Sequence, residues 1–467
     1  MQYISTRGSA PKIGFDAAVV SGLAPDGGLY VPEAWPVISA AEIEQMGQQS
    51  YGEIAAHLLA VFSGGNATPD NFRALTDQAF ASFDHPETIP LVPLDHNSYL
   101  MELFHGPTLA FKDVAMQVLA RLYARVCEKA SRRKTILGAT SGDTGGAAIA
   151  AFANSPAVDL FILHPKGRIS EVQRRIMTTR PEQNIINLAV DGSFDDCQRI
   201  VKALFVDDAL NAKLDLAGVN SINWVRLAVQ TVYYFATAAR LGLGQPASYI
   251  VPTGNFGDVF AGYVAKRMGV PISKLGVAVN RNDILHRALT TGEYRPSSVT
   301  PTMAPSMDIQ VASNFERLLF DAMGKDDKAL SSLMDTFARE NGMQIPKTAL
   351  ETIQQEFVSE RAEESEIDEK IKSIKMSHDM SIDPHTAIGL VAADKLLNAG
   401  KVSSPVVTLA TAHPAKFPDA VQAASGRYPE LPKRYDDLYE REERLFDVPN
   451  DVRAIANMII EMSKNRG

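Results

Sequence analysis

Beyond Leu100 the chain sets a short apolar run, a glycine-containing turn and a helical stretch one after another, and this alternation restricts the fold more than any other feature. Residues 135–137, 158–163, 185–190, 249–251, 275–279 and 406–410 read as buried strands. Helices are expected at 145–153, 194–205, 258–268 and 419–424. Short apolar strands alternating with helices imply parallel sheets covered on both faces, so the fold class is α/β. Ligands of such sheets sit at the carboxyl ends of the strands. The loops that follow 137, 251 and 410 are therefore where chemistry is expected.

The first ~90 residues differ. They carry a turn-rich stretch, Ala24-Pro25-Asp26-Gly27-Gly28, and helical patterns over 43–59 and 71–83. Repeated prolines from Pro86 to Pro93 read as a connector, because they disfavour helix. The segment 359–375 is dense in charge, with Glu366/Lys370 and Asp368/Lys372 at i,i+4 spacing, and reads as a solvated surface helix.

A chain of 467 residues exceeds one core and suggests two to four domains. Its net charge of −9 argues against nucleic acid or an anionic membrane as partner. It leaves room for an anionic small molecule, because helix termini bind phosphate whatever the overall charge. Cys127 and Cys197 form no CxxC motif and read as buried reduced thiols. The nine histidines, His105 and His413 among them, are scattered without an HxxxH pattern, so no metal is expected. The amino terminus has no apolar signal core, and no run approaches the ~18 apolar residues that span a bilayer. A cytoplasmic enzyme is the expectation.

Four loops carry candidate chemistry. His105-Gly106-Pro107-Thr108-Leu109-Ala110-Phe111-Lys112-Asp113 brings a lysine into a helix beside apolar residues. Lys112 reads either as a surface lysine covering its neighbours or as a desolvated amine suited to a Schiff base. Gly138-Ala139-Thr140-Ser141-Gly142-Asp143-Thr144-Gly145-Gly146 links a strand to a helix and presents N–H and hydroxyl donors to a carboxylate or phosphate. It is neither a Walker loop nor a GxGxxG fingerprint, and a plain tight turn remains the alternative. Pro252-Thr253-Gly254-Asn255-Phe256-Gly257-Asp258 is a second such turn, with N–H groups from Gly254 to Gly257 and the Thr253 hydroxyl available to a dianionic phosphate. Two anion sites suggest two anions, a cofactor phosphate and a substrate carboxylate or phosphate. In Leu409-Ala410-Thr411-Ala412-His413-Pro414 a strand ends in a hydroxyl.

Taken together, these stretches resemble the threonine synthases, in the longer class found in bacteria and fungi, within the fold type II (tryptophan synthase β) group of pyridoxal-phosphate enzymes. The resemblance extends to Tyr3-Ile4-Ser5-Thr6-Arg7-Gly8, to Gly22–Pro32 and to Ser221-Ile222-Asn223-Trp224-Val225-Arg226. It also takes in Ser313-Asn314-Phe315-Glu316-Arg317 and Asp383-Pro384-His385-Thr386-Ala387. It implies two α/β domains with parallel or mixed sheets and an N-terminal helical region. The expected division is 1–92 for that region, 93–120 with 236–467 for the large cofactor domain, and 121–235 for the small domain.

By the same resemblance, pyridoxal 5'-phosphate is the cofactor and Lys112 its Schiff-base lysine. Gly254, Asn255, Phe256 and Gly257 hold the cofactor phosphate, and Thr411 meets the pyridine nitrogen. Ser141, Gly142, Asp143 and Thr144 bind substrate, Asp143 standing where many relatives have asparagine. Asn223 and Arg226 are the candidates for the substrate phosphate, with a structural ion pair as the alternative for Arg226. The implied activity is γ-elimination of phosphate from O-phospho-L-homoserine followed by β-addition of water, giving L-threonine. The rival readings are a serine or threonine dehydratase of the same group, which needs no second phosphate site, and a non-enzymatic protein of this family retained for binding or regulation. A monomer or weak homo-oligomer is expected, with no nucleic-acid or membrane partner.

Overall fold

The apolar runs become the strands of two separate sheets, six-stranded and five-stranded among the described residues. The computed structural model describes residues 1–218 and 220–464 and divides them into two compact units. One comprises Met1–Phe111 and Ser221–Pro429; the other comprises Lys112–Asn220 and the described chain from Glu430 onward.

In the first unit the sheet runs in the order Phe357–Arg361, Ile272–Val279, Ala247–Pro252, Val406–Ala410, Ser98–Glu102 and Leu91–Pro93. Its first five strands are parallel and the last is antiparallel. The proline-rich connector thus ends as an edge strand, where a residue lacking an N–H is tolerated. Leu100, Ile250, Ala278 and Val406 meet Ile388 and Leu396 of the helix Pro384–Asn398 in one core.

The charge-dense segment differs from expectation. Ser359 lies in the edge strand, and the helix Glu364–His378 buries Ile367, Ile371 and Ile374 as an i, i+4, i+7 stripe. Its charges pair across to the helix Pro384–Asn398 as well: Lys395 reaches Glu366 at 2.7 Å, and Lys370 pairs with Asp394. Only one face is solvated.

The amino-terminal region is helical, as expected, but the 43–59 pattern splits into Ala40–Met46 and Tyr51–Phe62. Gly47 ends the first helix, and a capping box between Ser50 and Glu53 starts the second, by the same Ser-x-x-Glu device as Ser39 and Glu42. Against this region lies the helix Trp224–Leu241, where fifteen residues from Trp224 to Ala238 are buried.

The second unit has an all-parallel sheet in the order Phe446–Val448, Ile185–Val190, Val158–Pro165, Lys134–Ala139, Leu216–Gly218. The expected domain limits differ in several places: residues 1–92 share the first unit with most of the large domain, and Lys112–Ala120, expected in the large domain, falls in the second unit. The segment 221–235 belongs to the first unit, because its helix is buried there, whereas the chain after Glu430 returns to the second. Val448, Ile455 and Ile459 join Leu188, Cys197 and Ile200 in that core. A three-residue strand is too short to stand out as an apolar run. Cys127 and Cys197 are both buried and unbridged.

Candidate active site

In the second unit the strand Lys134–Ala139 ends in a turn tied by Thr140, whose Oγ1 accepts from the N–H groups of Gly142 at 3.0 Å and Gly145 at 2.9 Å. A Cβ on Gly145 would come within 2.4 Å of the Thr140 methyl, so the helix can start this close only with glycine there. Gly142, at φ +140°, sets Asp143 at the first position of the helix Asp143–Phe152. The Asp143 Oδ2 accepts from the amine of Lys112 at 3.1 Å. Lys112 is the first residue of the helix Lys112–Lys129, and its side chain is 13% exposed. Its amine therefore faces a carboxylate as well as the apolar flank expected from sequence. Ser141 is exposed and Thr144 half-buried, leaving both open to a ligand.

The residue that sequence reading missed here is Gln173. Its Nε2 donates to Asp143 Oδ1 at 2.9 Å, while its own Oε1 accepts from Ser170 Oγ at 2.9 Å. Asp143 is thus held from both sides, with one oxygen toward an amide and the other toward an amine. Nothing in the local pattern around a helical glutamine reveals a partner thirty residues away.

In the first unit the strand Ala247–Pro252 leads into the helix Gly257–Arg267 through Thr253, Gly254, Asn255 and Phe256. Phe256 has φ +64°, a left-handed conformation that costs a side chain roughly 1–2 kcal/mol. Burial holds it there: its ring is fully buried, 5.2 Å edge-on to Phe315 and 5.7 Å from Phe357. The first N–H groups of a helix lack intrahelical carbonyl partners, so a turn of this kind is suited to an anion. The Thr253 hydroxyl, expected to help, instead donates to the Val251 carbonyl at 2.6 Å.

A Cβ on Gly254 would fall 2.6 Å from the Ser306 carbonyl oxygen. Gly254→Ala must therefore push the turn aside; we expect cofactor affinity to fall about tenfold or more, with a stability loss of roughly 1–3 kcal/mol. Titrating the visible absorbance with pyridoxal phosphate, alongside thermal unfolding, checks this. Lower stability with unchanged affinity would assign the glycine to packing alone.

The neighbouring strand Val406–Ala410 ends at Thr411, which is 5% exposed. Its carbonyl accepts from the N–H of Phe111 at 2.9 Å, and among the described residues its hydroxyl has no hydrogen-bond partner. The same loop carries His413. Its Nδ1 accepts from the N–H of Ala415, and its ring stands 5.4 Å from Phe104. Burial first and then the charge of His105 push His413 down to about 4; Asp383 opposes them, Lys416 adds a smaller push and Asp84 a smaller opposition.

A histidine lowered on folding binds its proton first in the unfolded chain, so stability falls as pH drops below ~6.5 and this loss is complete below about 4. The expected contribution is about 2 kcal/mol between pH 7 and pH 5. Urea unfolding of the wild type and His413→Gln at both pH values reads it; an equal pH slope in both would remove His413 as the cause.

Asn223 and Arg226 part company. The Asn223 Oδ1 caps the helix Trp224–Leu241 by accepting from Val225 N, and its amide donates to the carbonyls of Val19 at 2.9 Å and Ser21 at 3.0 Å. Both donor hydrogens are engaged by these carbonyls, and the side chain acts here as a helix cap. Arg226 lies one turn along, 4% exposed, with Nη1 lacking any partner and no ion pair among the described residues. Burial alone lowers its guanidinium to about 10. The structural ion pair considered as the alternative is absent among the described residues. A Cβ on Gly257 would stand 3.6 Å from Gln230 Oε1 and 3.8 Å from Leu227 Cδ2, so the Arg226 helix packs beside the anion-binding turn.

Taken unit by unit, the chemistry fits a phosphorylated aldehyde cofactor: the first unit offers a glycine turn into a helix N terminus and an unpartnered hydroxyl at Thr411, and the second a lysine with a carboxylate at 3.1 Å. The α/β architecture is that of a pyridoxal-phosphate-dependent enzyme of fold type II, and the family model "Pyridoxal-phosphate dependent enzyme" matches residues 84–351. The models "Threonine synthase N terminus" and "Threonine synthase, C-terminal" match residues 2–80 and 386–459. The chain belongs to the threonine synthase family. It is 45% identical to a threonine synthase of Pseudomonas aeruginosa over 469 residues, covering 100% of this chain and 99% of the relative. It is similar to the crystal structure of pyridoxal-phosphate-bound threonine synthase from Brucella melitensis, with 47% identity, TM-score 0.96 and coverage of 99% and 100%. The yeast threonine synthase structure matches at 36% identity and TM-score 0.94, covering 99% of each chain.

Proposed function

We propose that this chain performs the threonine synthase reaction, converting O-phospho-L-homoserine and water into L-threonine and phosphate, through the following residue roles. The observation that carries the phosphorylated substrate is Arg226, a buried cation with an unused donor beside a helix-terminal anion site. A dehydratase of the same fold needs a cofactor-phosphate turn and a carboxylate loop; Arg226, a cation beyond those two, favours a phosphorylated substrate.

Lys112 is the cofactor's attachment point and the proton carrier. Gly254, Asn255, Phe256 and Gly257 anchor the cofactor phosphate at the helix N terminus, and Thr411 offers a neutral hydroxyl to the pyridine nitrogen, which does not enforce its protonation. Ser141, Gly142, Asp143 and Thr144 receive the substrate carboxylate. Pyridoxal phosphate, when bound, supplies an electron sink for negative charge developing at the substrate's Cα and Cβ.

Turnover must remove protons from Cα and Cβ, break the Cγ–O bond, return a proton to Cγ and add hydroxide and a proton across Cα and Cβ. The Lys112 amine, when free, would take and return these protons, work worth about 10²–10⁴-fold in rate. Asp143, 3.1 Å from that amine, is in reach to stabilise its charged form between transfers. Arg226 compensates the charge that collects on the leaving phosphate oxygen.

Among the described residues no helix is long and apolar enough to cross a membrane. The resemblance supports a cytoplasmic enzyme that is a monomer or weak homo-oligomer. The test is to incubate cofactor-loaded protein with O-phospho-L-homoserine and quantify threonine and phosphate together. Equal release is the expected result. Phosphate with 2-oxobutyrate and no threonine would move the function to an eliminase.

A further inference from the structure

The segment Ser313-Asn314-Phe315-Glu316-Arg317 has no role in the mechanism above, yet it contains one of the largest fully buried side chains of the described residues, Arg317 at 1% exposure. Among the described residues this guanidinium has no carboxylate partner. Its neighbour Glu316 is taken by Thr6 at 2.6 Å and Arg7 at 3.0 Å. Arg317 instead spends its fork on oxygens from three parts of the first unit. Nε donates to the Tyr30 carbonyl at 3.0 Å, Nη2 to the Ile222 carbonyl at 2.7 Å, and Nη1 to Asn314 Oδ1. The plane stands 5.9 Å from the Trp224 ring.

Because Arg317 claims the Asn314 oxygen, the Asn314 amide nitrogen must face the other way. It donates there to the carbonyls of Ser221 at 3.2 Å and Asn255 at 3.0 Å, while the Asn314 backbone N–H bonds the same Asn255 carbonyl at 3.0 Å. Asn314 is 0% exposed. Asn255 belongs to the cofactor-phosphate turn, and Ser221 and Ile222 precede the cap and first turn that carry Arg226. One buried amide therefore bridges the two segments, and one guanidinium fixes its orientation.

An apolar side chain of the same volume would fill this space without the desolvation cost of a buried charge. What the guanidinium adds is a rigid planar fork that holds three acceptors in fixed relation. We propose that Asn314 and Arg317 are positioning residues that set the cofactor-phosphate turn and the substrate-phosphate arginine as a single unit, so that the two phosphate sites are built or lost together. The proposal rests on the assignment of those two segments as phosphate sites.

Equilibrium dialysis of the full chain against pyridoxal phosphate and against pyridoxal, which lacks the phosphate, isolates the first site; KM and kcat for O-phospho-L-homoserine report the second. Arg317→Met is expected to shrink the preference for the phosphorylated aldehyde about tenfold and to raise KM about tenfold, with kcat at saturation within about threefold. Arg317→Lys, which keeps the charge and part of the bonding, recovers some of both. Should Arg317→Met fail to fold, Asn314→Ala removes the bridge alone and must give the same paired change. A lowered melting temperature with both ratios unchanged would overturn the proposal, as would a change at one site only. A wild-type chain that binds both aldehydes equally would remove the cofactor-phosphate assignment, and the proposal with it.

Discussion

Lys112→Ala is expected to lower kcat by about 10⁴-fold or more and to abolish the visible absorbance of the cofactor-loaded protein. Two functions vanish together: the amine that holds the cofactor covalently and the base that moves protons on the substrate. The fold is expected to survive, because Lys112 opens a long helix whose apolar face from Val114 to Tyr123 is buried without its help. Asp143 keeps the Gln173 amide at 2.9 Å, so its carboxylate is not stranded. The loss is therefore chemical, and the comparison of activity with thermal unfolding separates the two. An alanine variant that retains colour and turnover would require another lysine to carry the cofactor.

The second large effect is on Arg226, and it has opposite signs in activity and stability. Arg226→Met is expected to lower kcat/KM for O-phospho-L-homoserine roughly 10²–10³-fold, the scale for truncating one partner of a buried charge pair. The same change removes a charge whose burial is uncompensated in the free protein, where its Nη1 has no partner among the described residues. Replacing such a charge by an apolar side chain of similar length is commonly neutral or stabilising by about 1–4 kcal/mol. The variant should thus be at least as stable as the wild type while losing its substrate. Steady-state kinetics and urea unfolding on one preparation decide this. A marked loss of stability would mean that Arg226 supports the fold, and that the phosphate is held elsewhere.

How much of this was legible in sequence depends on the range of the interaction. Six of the eleven strands in the two sheets, three in each, stand out as apolar runs, and three of the four loops fall after such strand ends because turn chemistry is local. The split of the 43–59 helix was also written locally, in Gly47 and in two Ser-x-x-Glu boxes. At Asn223 a cap and a ligand both require a polar side chain at a helix start, and sequence does not show that its amide meets the Val19 and Ser21 carbonyls. Gln173, Asn314 and Arg317 act on residues far away in the chain, through contacts that leave no periodicity. The return of the chain at Phe446–Val448 to the second sheet is likewise a tertiary pairing of three residues.

The most direct test of the assigned site is to reduce the cofactor-loaded protein with borohydride, digest it, and locate the pyridoxyl-modified residue by mass spectrometry. A single modified peptide with the label on Lys112 is the predicted result. Label on another lysine, such as the buried Lys416 whose amine donates to the Thr108 carbonyl at 2.9 Å, would contradict the account.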